Sequence, residues 1–164
     1  MTLPYAIMAF VTLQRLSELA IARRNTARLL AGGAYEVGAS HYPVMVTMHT
    51  AWLAALWLTV GGRDVNLPLL LVFAVLQLMR VWVLVTLGSR WTTRIIVTPA
   101  ATLVRKGPFR FLRHPNYAVV TAEIAVLPLV FGLLWIAALF TLLNAAMLYV
   151  RIGAENRALY RPSS

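Results

Sequence analysis

The chain has 164 residues, 60% of them hydrophobic and 12% charged, and its 15 Lys and Arg against five Asp and Glu leave a net charge of +10. Soluble domains carry a charge on about a quarter of their residues, so this composition excludes an ordinary soluble domain and indicates a membrane protein. The absence of Cys excludes disulfides and Cys-ligated metals, and no basic helix or aromatic sheet motif accompanies the positive charge, so no nucleic-acid partner is expected.

Five apolar segments follow one another along the chain, each of about 18 to 20 residues, the length that crosses the hydrocarbon core of a bilayer. They cover residues 3–22, 42–60, 67–87, 117–134 and 135–152. The last two nearly touch, with Pro128 and Gly132 near their join, which favours a tight helical hairpin; a single bent re-entrant element is the alternative. The sequence therefore predicts an all-α integral membrane protein with about five transmembrane helices, in a single domain over residues 1–164.

The loops between these segments differ in positive charge. The first loop, the third loop (residues 88–116) and the tail contain Arg23, Arg24, Arg28, Arg90, Arg94, Arg105, Lys106, Arg110, Arg113, Arg157 and Arg161. The second loop has only Arg63 beside Asp64. Because basic loops stay on the cytoplasmic side, the sequence predicts an N-terminus outside and a C-terminus in the cytoplasm, as in a bacterial inner-membrane protein.

The third loop is too long for a simple connection, since helix links in bundles usually take about 2 to 8 residues. It combines its basic residues with Trp91, Phe109 and Phe111. This composition is typical of a segment that lies along lipid headgroups, and we expect it to form part of a functional site.

Arg151 stands at the end of the fifth apolar segment, and five further ionisable residues lie within the segments: Arg15, Glu18, His49, Arg80 and Glu123. Each costs about 2.5 to 3.5 kcal/mol on insertion scales and needs a partner or a wet cavity. Arg15 and Glu18 share a helix face, which favours an ion pair, whereas Arg80 and Glu123 could pair across the bundle or line a pocket. A lone His such as His49 is more often a packing residue than a ligand, and the three scattered His predict no metal site.

The first block of polar residues at a helix end is Arg113-His114-Pro115-Asn116-Tyr117. Pro115 fits the first turn of a helix and pushes His114 toward extended geometry just outside it. This arrangement turns Arg113 and His114 toward the helix mouth, whose free N–H groups favour anions. A cap at the membrane interface is the alternative interpretation.

The second block contains Arg151 and Glu155, four residues apart on one helix face, with Asn156 beside them. Taken alone, it fits an exposed ion pair worth about 0.3 to 0.5 kcal/mol. The two blocks flank one hairpin, however, so antiparallel helices would bring them together at one membrane surface. A zwitterionic nucleoside needs such a set, with Arg for a carboxylate, Glu for an ammonium group or a ribose diol, and an aromatic surface for adenine.

These blocks resemble the isoprenylcysteine carboxyl methyltransferase family, integral membrane enzymes that use S-adenosylmethionine. In that family an Arg-His-Pro-x-Tyr motif precedes a helical hairpin and a Glu-Glu pair follows it, and together they bind the cofactor. This sequence matches at Arg113, His114, Pro115, Tyr117 and Glu155. The second Glu is Asn156, which keeps an acceptor and loses a charge, and Arg161 is the nearest match to an Arg that the family has beyond the pair.

The first half of the chain looks like a small bacterial branch of this family, through residues 15–19, 24–25, 33–38, 41–46 and His49. That branch is similar to enzymes that O-methylate long-chain alkylresorcinols or alkylpyrones. The resemblance implies an S-adenosylmethionine-dependent O-methyltransferase with a cytoplasmic cofactor pocket. Its expected partners are membrane lipids and a lipophilic acceptor, which offers a carboxylate or a phenol or enol hydroxyl.

The resemblance and the residue chemistry together assign candidate roles. The cofactor-binding candidates are His114, Tyr117, Arg151, Glu155 and Asn156, and the catalytic candidates are His114, Arg113 and Glu123. A phenol or enol acceptor, with a pKa of about 10 as for Tyr, would benefit from a base. In falling order of preference, the base candidates are His114, Glu123 and Tyr117.

Two other interpretations stay open. One is a non-catalytic small membrane protein, a transporter-like or structural subunit, in which polar residues hold the helices together; it predicts no nucleoside binding. The other is amine methylation of phospholipid headgroups, which related membrane methyltransferases perform; it predicts product only when ethanolamine lipids are supplied.

Overall fold

The computed structural model describes residues 3–99 and 104–160, and five helices make up most of them. The helices are α1 (Leu3–Ala31), α2 (Tyr42–Thr59), α3 (Leu67–Leu87), α4 (Pro115–Val130) and α5 (Leu134–Tyr160). Two short strands, β1 (Tyr35–Val37) and β2 (Ile95–Val97), lie in the connections after α1 and α3. The predicted helical class and the C-terminal hairpin are confirmed, and α1 and α5 extend beyond their apolar segments to 29 and 27 residues.

Proline marks the start of three helices. Pro43, Pro68 and Pro115 stand in the first turns of α2, α3 and α4, where the N–H that proline lacks would have no partner within the helix. At α3, the side chain of Asn66 also accepts a hydrogen bond from the N–H of Leu69 at 3.0 Å, which caps the helix. These residues determine where α2, α3 and α4 begin.

The turn between α4 and α5 is closed by backbone hydrogen bonds. Gly132 has a φ of +68°, a conformation that a residue without Cβ adopts at little cost. The N–H groups of Gly132 and Leu133 donate to the carbonyls of Leu129 and Pro128, which satisfies the last carbonyls of α4. The join is therefore a tight antiparallel hairpin, and the alternative of a bent re-entrant element is not formed.

Three helical stretches among the described residues are long and apolar enough to cross a membrane: Leu3–Ala31, Leu67–Arg90 and Leu134–Ala158. Three of the five predicted spans thus meet this criterion, and α4 is apolar but shorter, at 16 residues. Large apolar side chains also point outward, as at Leu58, which is 85% exposed. Extensive exposed apolar surface is typical of a face that contacts lipid, and the chain is a membrane protein.

The bundle has two unlike ends. At one of them, the core end, Tyr5 stacks on Trp57 with ring centroids 6.0 Å apart, and the N–H of Asn66 donates to the carbonyl of Val130 at 2.8 Å. The buried apolar core lies toward this end and comprises Met8, Val11, Trp52, Leu56, Val60, Phe73, Ile124, Leu127, Val130, Phe131, Leu133, Ile136 and Phe140. The opposite end, the motif end, contains the last turns of α1, α3 and α5, the first turns of α2 and α4, and the third loop.

The two strands form an antiparallel pair at the motif end, with Tyr35 opposite Val97. Both carboxylate oxygens of Glu36 accept hydrogen bonds from Arg94, at 2.7 and 3.0 Å, and this pairing raises the pKa of the guanidinium. The same guanidinium lies 4.2 Å from the centroid of the Tyr42 ring. The sequence did not predict these strands, because three residues are too few to show an alternating pattern.

Candidate functional site

A cavity of about 890 Å³ lies at the motif end, and all five helices contribute to its wall. Parts of the third loop also line it, so the loop forms part of the cavity as expected: residues 90–98, Val104, Arg105, Phe109, Arg110, Arg113 and His114. Small-molecule sites usually enclose about 300 to 1,000 Å³, so this space suffices for a nucleoside and part of a second ligand.

The two polar blocks meet at this cavity. The hydroxyl of Tyr117 on α4 donates to Oε2 of Glu155 on α5 at 2.7 Å. Nδ1 of His114 lies 3.7 Å from the same oxygen, and the rings of His114 and Tyr117 stack with centroids 5.4 Å apart. The antiparallel hairpin thus brings together residues 38 positions apart, as the sequence predicts for these three.

Arg151 is part of the same wall and is only 5% exposed. Its Nη2 donates to the carbonyl oxygen of Thr93 at 3.0 Å, and its Nη1 lies 3.0 Å from the sulfur of Met45. The guanidinium carbon is 5.8 Å from the ring centroid of Tyr117. Nε is buried and, within residues 3–99 and 104–160, has no hydrogen-bond partner. A buried donor of this kind is costly to leave unpaired.

Arginines surround the cavity on the loop side. Arg90, Arg94, Arg105, Arg110 and Arg113 all line it, and Arg113 is exposed. The acidic residues on the wall are Glu155 and Glu18. A rim with this excess of positive charge attracts anionic groups and raises their local concentration.

A charge cluster, formed by Arg15, Glu18, Arg80 and Glu123, lies between the cavity and the apolar core. Arg80 donates from Nε and Nη2 to Glu18 and from Nη1 to Glu123, each at 2.6 Å. Arg15 donates to Glu18 at 3.2 Å and to Glu123 at 2.8 Å. The predicted Arg15–Glu18 pair is confirmed, and each charge of this cluster has a partner of opposite sign.

The structure places Glu123 apart from the other catalytic candidates. Its side chain is fully buried and is not among the residues that line the cavity. Its oxygens accept hydrogen bonds from Arg15, Arg80 and Gln77. Of the two interpretations of Arg80 and Glu123, pairing across the bundle holds, although Arg80 also reaches the cavity wall.

Two further candidates are not found among the described residues of the cavity wall. Asn156 follows Glu155 on α5 but does not line the cavity, and its Oδ1 is buried without a hydrogen-bond partner in the described part of the chain. Arg161 lies outside the described residues.

Sequence reasoning missed three residues of the cavity wall: Thr93, Met45 and His49. Thr93 and Met45 contact Arg151, and His49 follows Met45 on the same face of α2. A partial signal existed, because Tyr42, Met45 and His49 are spaced three and four residues apart and therefore share one face of α2. The contact of Thr93 with Arg151 uses the backbone carbonyl, and a pattern of side chains in the sequence does not reveal a backbone contact.

Gly107 gives a test of how tightly the third loop is held. Its φ is +57°, and a Cβ added there would lie 2.6 Å from Oγ1 of Thr86. Beyond the strain of its positive φ, we expect the clash of the added Cβ in Gly107→Ala to cost about 1 to 3 kcal/mol and to lower the melting temperature in detergent by roughly 2 to 10 °C relative to Gly62→Ala. Gly62→Ala is the matched control, since Gly62 has a φ of +70° but no atom within 4 Å of an added Cβ. If the two variants have equal melting temperatures, the third loop is not tightly packed against α3 at Gly107.

The comparisons with known proteins agree with this geometry. The model of the isoprenylcysteine carboxyl methyltransferase (ICMT) family matches residues 68–161. Uncharacterized protein YpbQ of Bacillus subtilis (strain 168) is 39% identical over 160 residues, which cover 94% of this chain and 95% of that protein. An uncharacterized protein of Haemophilus influenzae (strain ATCC 51907 / DSM 11121 / KW20 / Rd) is 27% identical over 158 residues, 88% of each chain. No solved structure gives a significant match.

Proposed function

Because this chain belongs to the isoprenylcysteine carboxyl methyltransferase family and is a membrane methyltransferase, we propose that it transfers the methyl group of S-adenosylmethionine to an oxygen of a lipophilic acceptor. The observation that carries this proposal is the meeting of His114, Tyr117 and Glu155 on one wall of a large cavity. The sulfonium cofactor supplies an electrophilic methyl group. The protein then has to orient two ligands and exclude water.

The residues on this wall fit the polar groups of the cofactor. The Glu155 carboxylate, oriented by the Tyr117 hydroxyl, accepts hydrogen bonds from an ammonium group or a ribose diol. Arg151 lines the cavity near Tyr117 and pairs with the cofactor carboxylate, a strong charge-assisted contact. The stacked rings of His114 and Tyr117 give adenine an aromatic surface. Asn156 follows Glu155 on α5 but does not line the cavity, so in this proposal it supports the Glu155 turn and does not touch the cofactor.

Arg113 and His114 stand where an acceptor head would approach the cofactor, since both line the cavity at the first turn of α4. In this proposal they bring the acceptor oxygen into line with the methyl group. Glu123 acts on the acceptor only through Arg15 and Arg80, which it holds in place. A carboxylate acceptor is already ionised at neutral pH, whereas a phenol or enol is not.

A side opening for the acceptor tail lies between α1 and α2. Leu16 on α1 and Val46 on α2 both line the cavity, yet they are 58% and 39% exposed. We take these exposed side chains as the edge of the cavity and place the side opening between the two helices at this edge. In a bilayer this opening faces lipid, so an acyl or prenyl tail can remain among the membrane lipids while its head is in the cavity.

The positive charge at the motif end indicates the orientation of the protein in the membrane. The basic rim lies at the motif end, and basic segments stay on the cytoplasmic side. We therefore propose that the cavity and the C-terminus face the cytoplasm, where S-adenosylmethionine is found, that the N-terminus is outside, and that the membrane is the bacterial inner membrane.

The test is a transfer assay in lipid nanodiscs with S-adenosylmethionine labelled in its methyl group, supplied with either a long-chain carboxylic acid or a long-chain phenol. We expect labelled methyl ester or ether. Leu16→Trp should raise the KM of a long-chain acceptor at least about tenfold, an effect of about 1.4 kcal/mol, by narrowing the side opening. It should leave the KM of the cofactor unchanged.

The matched control is Leu13→Trp, since Leu13 lies on the same helix, is exposed and does not line the cavity. An equal effect of both variants would contradict the side opening. Label found only in ethanolamine lipids would replace O-methylation with amine methylation, and no label in any acceptor would overturn the proposed transfer.

A further inference from the structure

One face of α2 follows the cavity from its rim into its depth. Tyr42, Met45, His49 and Trp52 all line the cavity and are spaced three or four residues apart. The sulfur of Met45 lies 3.0 Å from Nη1 of Arg151, which places Met45 beside the cofactor wall. His49 lies one helical turn further along, about 5.4 Å, in the direction of the charge cluster.

The ring of His49 is held in one tautomer. Its Nδ1 lies 2.9 Å from the carbonyl oxygen of Met45. A carbonyl oxygen can only accept, so Nδ1 carries the hydrogen and Nε2 of the neutral ring keeps a lone pair. Nε2 makes no hydrogen bond with any of the residues that the structure describes. His49 therefore brings an unpaired basic nitrogen to the cavity wall.

The charged groups that face His49 come from three other helices. Arg15 on α1, Arg80 on α3 and Arg151 on α5 each repel a positive charge on the ring, so the ring rests in the neutral form that can accept a proton. The carboxylates of Glu18 and Glu123 are taken up by hydrogen bonds from Arg15 and Arg80. Glu123 is bound by two arginines and does not line the cavity, whereas His49 does, so only His49 of these two can reach the hydroxyl of an acceptor in the cavity. The arginines also favour a negative charge that develops on an oxygen beside the ring.

We propose that His49 is the general base of the reaction and that the acceptor it serves carries a weakly acidic hydroxyl. This inference rests on the proposed function. Nε2 takes the hydroxyl proton while the acceptor oxygen forms its bond to the methyl carbon. The bond from that carbon to sulfur breaks, its electron pair stays on sulfur, and a neutral thioether is released. The imidazolium then returns the proton to water. A carboxylate acceptor has no proton to give and makes no use of His49.

The experiment compares His49→Gln with wild type on a long-chain alkylphenol and on a long-chain carboxylic acid, in nanodiscs, between pH 7 and pH 10. General bases contribute about 10²- to 10⁴-fold, so kcat for the phenol should fall at least about 100-fold at pH 7. The loss should shrink as the pH approaches the phenol pKa of about 10, where the acceptor ionises without help. The KM of the cofactor and the affinity for S-adenosylhomocysteine, measured by calorimetry, should stay within about twofold, since a twofold change is only about 0.4 kcal/mol.

Thr47→Ala is the control, because Thr47 is an exposed neighbour that does not line the cavity. If His49→Gln fails to bind S-adenosylhomocysteine, His49→Asn takes its place, with an amide short enough to keep the hydrogen bond to Met45. Four outcomes would overturn the role of His49 and leave the proposed function standing. Phenol methylation by the variant falls less than about threefold at pH 7, or it falls equally at every pH. The wild type transfers methyl groups to the carboxylate alone, or both variants lose ligand binding. A wild type that methylates neither acceptor overturns both.

Discussion

Methyl transfer by Glu155→Gln is expected to fall to a small fraction of the wild-type rate at subsaturating cofactor. The substitution keeps the size of the side chain and removes the charge that faces the cavity beside Tyr117. A hydrogen bond to a charged group is worth about 1.5 to 3 kcal/mol, so the loss of the carboxylate should lower kcat/KM for S-adenosylmethionine roughly 10- to 150-fold. The measurement is the initial rate at several cofactor concentrations.

Asp64→Asn is the matched control for this prediction. Asp64 is an exposed carboxylate in the connection between α2 and α3, at the core end and away from the cavity. It should retain wild-type kcat/KM, and the melting temperature of both apo variants should stay close to that of wild type. If Glu155→Gln keeps its rate, or loses it only because the protein unfolds, the carboxylate does not bind the cofactor.

Arg80→Leu is expected to destabilise the protein strongly. Arg80 is buried and provides three hydrogen bonds of 2.6 Å to Glu18 and Glu123. Its removal leaves two buried carboxylates with Arg15 as the remaining cation of the charge cluster. Breaking a buried ion pair from one side costs about 3 to 5 kcal/mol, which for a chain of this size corresponds to a fall in melting temperature of about 6 to 20 °C. Thermal unfolding in detergent measures it.

Two further variants separate the charge imbalance from the loss of a side chain. Arg63→Leu removes an exposed Arg from the connection at the core end and should change the melting temperature little. Combining Arg80→Leu with Glu123→Leu restores the charge balance and should recover at least half of the loss, because apolar replacement of a buried pair is often neutral. If Arg80→Leu and Arg63→Leu have equal melting temperatures, the charge cluster does not stabilise the protein.

The sequence predicts the five helices and the positions at which they start, for identifiable reasons, but not the C-terminal ends of α1 and α5, which extend to Ala31 and Tyr160. Apolar length gives the helical segments, Pro115 predicts the start of α4, and Pro128 and Gly132 predict the hairpin turn. The meeting of His114, Tyr117 and Glu155 follows from these alone, since two residue blocks that flank a tight hairpin must lie at the same end.

Contacts between other helices could not be predicted in the same way. A helix that is apolar on all sides has no polar stripe to show which face packs inward. The pairing of Arg80 with both Glu18 and Glu123, and the position of His49 on the cavity wall, depend on the rotation of α1, α2 and α3 about their axes. Likewise, the carbonyl of Thr93 reaches Arg151 because β1 and β2 hold the third loop in place.

The central claim is that the cavity beside Glu155 binds the methyl donor, and calorimetric titration of the purified wild-type protein with S-adenosylhomocysteine in lipid nanodiscs tests it most directly. The account predicts saturable binding of one ligand per chain that Glu155→Gln weakens and Asp64→Asn does not. A well-folded wild type that gives no binding heat, or that binds equally well without the Glu155 carboxylate, would contradict it.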